Sequence, residues 1–314
     1  MKKVPALLLA AMLLLSQMAA AEEVTTAAAP SYAHEANAED AADLPQGVAP
    51  LPIDFSAGNE PQADGFKTSA DYDYEYEDPS LHVTVVKGRA NSCDYWVATI
   101  KIADASQLRT ASAGGFNSSA TIQGQALATR MNAVLAIDGD YFCYTGKGYI
   151  VREGEEYLNI LDGERDVLAI DRSGDFHVFH LATSEDISTA LDRDDLVNVF
   201  YFGPILVENG QVVENVTGPN MAYNEKRQRM AICQVGPLEY KAICCAGPAR
   251  GSYGMTLQQF ANLVAEQGVQ TAYNLDGGDS TMMIFNGTKI NDVRSTSTRK
   301  INDIVYFASA YTAE

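Results

Sequence analysis

The reading of this chain turns on one stretch, Val269-Gln270-Thr271-Ala272-Tyr273-Asn274-Leu275-Asp276-Gly277-Gly278-Asp279-Ser280-Thr281-Met282-Met283-Ile284-Phe285-Asn286-Gly287. Val269 to Leu275 reads as a buried strand that runs straight into a loop of Asp and Gly. Met282–Phe285 with Asn286-Gly287 reads as a hairpin, because Asn-Gly tolerates the left-handed backbone of a tight turn. Just upstream, Thr256 and Gln259 have capping-box spacing, Leu257, Phe260, Ala261 and Val264 share one face, and Gly268 follows, so a helix is predicted over Thr256–Gln267.

A second segment repeats the design. Ala133-Val134-Leu135-Ala136-Ile137 delivers Asp138-Gly139-Asp140-Tyr141-Phe142. A carboxylate at the end of a buried strand is held rigidly, and glycine lets a ligand come close to the backbone. Asp and Gly are also ordinary turn formers, and it is their recurrence after two central-looking strands that draws attention. Further strands are predicted at Leu81–Lys87, Tyr95–Ala103, Val167–Asp171, Phe176–His180, Leu196–Phe202 and Ile205–Glu208, and helices near Ala120–Asn132 and Ser184–Leu191. The pattern is neither a regular βαβ alternation nor pure β. The expected class is α+β, a strand-rich single domain over residues 79–314 with mixed sheets flanked by a few helices.

Composition sets the outer limits. The 314 residues are 46% hydrophobic and 20% charged, with a net charge of −19, which excludes full disorder and disfavours nucleic acid or anionic lipid as partner. Residues 22–78 hold 14 acids and one base, Lys67, and read as an acidic low-complexity linker. The alternation of acid and Tyr over Asp71–Asp78 leaves open a Tyr face docked on the domain. Residues 1–21 read as a signal peptide: Lys2 and Lys3, an apolar run from Val4 to Leu15, then small residues. A secreted or envelope-associated protein is therefore expected, without stable membrane insertion once the signal is cleaved; an uncleaved anchor is the alternative. Five cysteines, an odd number, leave at least one thiol unpaired and choose no disulfide pattern. His177 and His180 fall on opposite faces of their strand, which is poor geometry for one metal.

Asn274-Leu275-Asp276-Gly277-Gly278-Asp279-Ser280-Thr281 resembles the Asn-Leu-Asp-Gly-Gly-Gly-Ser-Thr signature of the phosphodiester glycosidase family. Ala136–Phe142 resembles the family's strand with its Asn-Gly-Gly-Phe-Phe block, Gly203–Gly210 its Gly-Pro hairpin, and Arg229–Ile232 its Arg-x-Ala-Ile/Val strand. Gly254–Leu257 is similar to the family's approach to the helix before the signature. Two departures stand out: Asp138 and Asp140 replace Asn and Gly, and Asp279 replaces the third Gly of the signature.

The resemblance implies cleavage of a sugar–phosphate glycosidic bond in a sugar phosphodiester or phosphoglycan. Asp276 is the expected base or nucleophile, with Asp138 or Asp140 as its partner. Arg229 and Arg299 are expected to hold phosphate, since each lies in or beside an apolar strand. Asn274, Gly277, Gly278, Ser280, Thr281, Tyr141 and Gly203 are expected to bind substrate or hold the loops around it. No cofactor is required; Asp279 is a candidate ligand for a cation such as Ca²⁺. Two other readings stay open: a Mg²⁺-dependent phosphohydrolase using Asp138 and Asp140, and a non-catalytic envelope protein that binds a glycopolymer.

Overall fold

The computed structural model describes residues 44–144, 146–218, 222–249, 251–291 and 299–313. The expected signal peptide and the first part of the acidic stretch lie outside these residues. Every described strand pairing is antiparallel, in hairpins and between strands distant in the chain alike, so the expected α+β class holds with sheets that are antiparallel rather than mixed.

A nine-stranded sheet runs in the order Phe66–Lys67, Tyr74–Glu77, Leu81–Ala90, Cys93–Ile102, Glu239–Cys245, Arg229–Gly236, Thr271–Asn274, Ile205–Glu208, Gln211–Val212. A five-stranded sheet has Ala133–Asp138 at its centre, between Met283–Phe285 and Asp303–Ala308, with Thr288–Lys289 and Leu108–Ser112 outside them. A second five-stranded sheet orders Phe176–Phe179, Val167–Asp171, Leu196–Phe200, Gly148–Arg152 and Glu155–Ile160. The main core fills the space between the first two sheets, where Val83, Ile100, Ile232, Ile243, Leu135, Val305 and Phe307 are buried together. Helix α1 (Gly124–Arg130) packs on the strand ending at Asp138, and α2 (Ser184–Ala190) opens on a Thr183–Asp186 capping box. Helix α3 (Leu257–Ala265) opens on the expected box between Thr256 and Gln259 and buries Leu257, Phe260, Ala261 and Val264. Among the described residues no helix is long and apolar enough to cross a membrane.

The expected linker is overturned over 44–78. Leu51 is buried, Val48 bridges to Tyr311 and Asn59 to Ser309, and two strands of this stretch extend the nine-stranded sheet. The docked Tyr face is the arrangement found. Tyr76 is fully buried, its hydroxyl donating to Asp78 Oδ2 at 2.6 Å and accepting from the Gln62 N–H at 3.1 Å. Bulk acidity concealed this, because only alternate side chains of an edge strand face the core and the acids occupy the other face. The fully buried Arg109 secures the segment. Its Nη1 donates to Pro52 O at 2.8 Å and Ser106 O at 3.1 Å, its Nη2 to Asp54 O at 2.7 Å and Ser56 O at 3.2 Å, and its Nε to the Tyr306 hydroxyl at 3.1 Å.

Two stability predictions follow from this packing. Arg109→Ala is expected to cost at least about 3 kcal/mol and to expose residues 51–56 to protease before the rest of the fold opens. Uniform protection in limited proteolysis would refute that role. The second concerns Glu153, buried and accepting from Thr110 N–H at 2.6 Å; burial pushes its carboxyl up to about 7, against the pull of Arg109. A folded-state value above the unfolded one means that stability falls as pH rises from the unfolded value through about 7. Glu153→Gln should flatten that slope and raise the urea midpoint at pH 8, by a few kcal/mol at most.

Candidate active site

The two Asp-Gly loops meet. The Asp276 N–H donates to the Gly139 carbonyl at 3.0 Å, the Gly139 N–H donates to Asp303 O at 3.2 Å, and the Asp138 N–H donates to Met282 O at 3.3 Å. The tips of strands from both large sheets are thus tied at one point. A small open cleft lies there, lined by Asp138, Gly139, Tyr141, Tyr144, Asp276 and Ser280 from the two loops, and by Arg299, Lys300, Ile301, Asn302 and Asp303 from the C-terminal segment.

Asp276 is the most accessible of its carboxyls. Its Oδ1 accepts the Gly277 N–H at 2.7 Å. Burial raises its pKa, while the Ser280 hydroxyl, the Gly277 N–H and Arg299 pull the other way. Asp138 is buried at the bottom, where Oδ1 accepts the Met282 N–H at 2.8 Å and Oδ2 has no hydrogen-bond partner within the protein. Burial, then the charges of Asp276 and Asp303, push its carboxyl well above the usual range. Asp303, which no motif marked, is buried beside them and pushed up to about 8, by burial first and the Asp140 charge second. Arg299 and Lys300, both exposed, are the cations of the lining.

Gly139 must be glycine for a steric reason: a Cβ there would sit 2.0 Å from Asp303 Oδ2. Tyr141 adopts a left-handed backbone, φ +66°, and stacks on Tyr144 with ring centroids 4.1 Å apart and planes 21° from parallel. Such a flat aromatic pair is a natural platform for the apolar face of a sugar ring.

Several expected site residues are placed elsewhere. Asp140 is not in the lining: its carboxylate pairs with the fully buried Arg152 at 2.8 Å and accepts the Tyr201 N–H at 3.2 Å. Arg152 in turn lies over the Phe200 ring, 4.2 Å from its centroid. The departure at 140 therefore supplies the counter-charge that a buried guanidinium needs. Asp138 and Asp140 do not act as the pair expected of a phosphohydrolase, since Asp138 lines the cleft while Asp140 is turned onto Arg152. Arg229 is buried and donates to Ala222 O at 2.9 Å and Glu225 O at 3.0 Å, which fixes a loop away from the cleft; burial pulls its pKa down to about 10. Its strand position looked suited to phosphate, but the side chain is turned onto backbone carbonyls.

Asn274 donates to the Gly203 carbonyl at 2.8 Å, so this pair holds the turn after Phe202 outside the cleft lining. Thr281 is fully buried and its carbonyl accepts from Asn291 Nδ2 at 3.1 Å, a loop-holding part. Gly277 permits a close backbone crossing, for a Cβ would lie 2.8 Å from Gln228 O, and the Gly278 N–H donates to the same carbonyl at 3.1 Å. Asp279 is exposed and outside the lining, and among the described residues no three His, Cys, Asp or Glu side chains are grouped as metal ligands. The expected Ca²⁺ ligand thus has no cluster around it. Asp303 could have been suspected only from its place, as the acid that opens the otherwise apolar strand Asp303–Ala308.

Residues 131–308 match the phosphodiester glycosidase family. None of the curated proteins matches the sequence. Among solved structures, the chain is similar to the catalytic domain of zebrafish N-acetylglucosamine-1-phosphodiester alpha-N-acetylglucosaminidase, auto-inhibited by its pro-peptide. The TM-score is 0.59 at 18% identity, over 78% of this chain and 87% of that one. A Burkholderia pseudomallei protein gives a TM-score of 0.50 at 14% identity over 69% of this chain and 74% of that one. At these identities the likeness is one of fold.

Gly139→Ala should displace the Asp303 carboxyl and cost about 1–3 kcal/mol. An unchanged denaturation midpoint would contradict the close contact.

Proposed function

Because the chain belongs to the phosphodiester glycosidase family, we propose that it hydrolyses the sugar–phosphate bond of a sugar-1-phosphodiester, in a glycan or cell-envelope polymer outside the cytoplasm. The observation that carries this reading is the joining of the Asp138 and Asp276 loops in one cleft whose rim bears Arg299 and Lys300. The sequence over residues 1–21 supports export.

The parts divide by depth. Arg299 and Lys300 at the rim suit the anionic phosphate, which a guanidinium can hold through two parallel hydrogen bonds. The stacked Tyr141 and Tyr144 suit the sugar ring. Asp138, kept neutral by burial and by neighbouring charge, offers a hydrogen bond to a sugar hydroxyl from its unpartnered oxygen. Asp276, oriented by Gly277 N–H and Ser280, is the group to activate water or attack the anomeric carbon. Phosphate departs more readily than an alkoxide, so the electrostatic hold on it at the rim contributes directly to rate.

The direct test is product release from a panel of methyl phosphodiesters of N-acetylglucosamine, glucose, galactose and mannose 1-phosphate, with and without EDTA. Asp276→Asn is expected to lower kcat by about 10³-fold or more with little change in Tm, and Arg299→Ala to raise KM about tenfold. Full turnover by Asp276→Asn would move the reaction to another residue. Binding without turnover by the parent protein would favour the glycopolymer-binding alternative.

A further inference from the structure

Asp303 is the cleft carboxyl whose surroundings are least explained by folding alone. It ends the run Arg299–Asp303 that lines the cleft, and it is buried. One of its oxygens, Oδ2, has no hydrogen-bond partner within the protein, although the Gly139 backbone is pressed against it. A buried carboxyl oxygen left in that state is satisfied either by a ligand or by carrying a proton it can give to one.

The groups facing it set its character. Asp140 and Asp276 repel its charge; Arg152 and the Asp140 N–H favour it. Asp138 and Cys143 feel its field in turn. Asp140 is engaged by Arg152 and the Tyr201 N–H, and Asp138 by the Met282 N–H. Asp303 shares with Asp138 a place in the lining and an unpartnered oxygen, and it differs in ending the run that carries Arg299 and Lys300, the cations of the rim. Glycoside hydrolysis asks for two carboxyls with divided roles, one to give a proton to the leaving group and one to act on water or carbon.

Resting on the glycosidase reading above, we propose that Asp303 is the proton donor of the reaction, acting on the oxygen that bridges sugar and phosphorus. The bond from the anomeric carbon to that oxygen breaks and its electron pair passes to the oxygen, which takes the Asp303 proton. Water forms the new bond to the anomeric carbon and gives its proton to Asp276. The products are the free sugar and a phosphomonoester, and solvent exchange returns the proton from Asp276 to Asp303.

The test compares, from pH 5 to 9, whichever 1-phosphodiester of the panel is turned over with the matching glycosyl fluoride, whose leaving group does not need a proton donor. In the parent protein, kcat for the diester should fall as pH rises through about 8, where the donor ionises. Asp303→Asn should lower diester kcat about 10²-fold with KM little changed, abolish that alkaline fall, and keep fluoride hydrolysis within a few-fold. Retained fluoride hydrolysis also reports a folded site. An equal loss on both substrates, or an unaltered diester pH profile, overturns the proposal. Absence of turnover by the parent protein on every diester and fluoride would defeat the glycosidase reading itself, and this inference with it.

Discussion

The hydrogen bond from Asp276 N–H to the Gly139 carbonyl is the constraint on which the site depends. It joins a loop that leaves the nine-stranded sheet to one that leaves the central strand of a five-stranded sheet. Backbone bonds between strand tips are rigid in a way that side-chain contacts are not, and this one brings acids far apart in sequence to one cleft. The glycines at 139 and 277 are needed because the chain passes other groups at distances that a methyl would violate.

The electrostatic consequence is a concentration of acid that the fold must neutralise. Asp138, Asp276 and Asp303 line the cleft while Asp140 stands just behind it. The fold copes by two routes: it pairs Asp140 with a buried guanidinium, and burial shifts Asp138 and Asp303 toward the protonated form. An anionic substrate then meets far less repulsion than four ionised carboxylates would exert.

Much of this was legible in the sequence where local chemistry decides structure. The capping box at Thr256, the Asn286-Gly287 turn and the two apolar strands with Asp-Gly endings each rest on neighbours within a few residues, and each is found. What escaped depends on partners distant in the chain. Arg229 and Arg152 are both basic residues on apolar strands, and only the tertiary fold decides that one binds carbonyls and the other a carboxylate. Asp303 has no glycine beside it and acquires its surroundings from Gly139 and Asp140, more than 160 positions away. The acidic stretch misled for the same reason: average composition hides that Leu51 and Tyr76 face inward while Arg109 waits to receive the intervening carbonyls.

The pairing of Val48 with Tyr311, and of Asn59 with Ser309, has a topological implication. The segment around Val48 and Asn59 thus lies beside the one around Ser309 and Tyr311, about 250 positions later in the chain. Each of the two stretches supplies backbone partners to the other, so loss of either would leave polar groups of its neighbour unpaired.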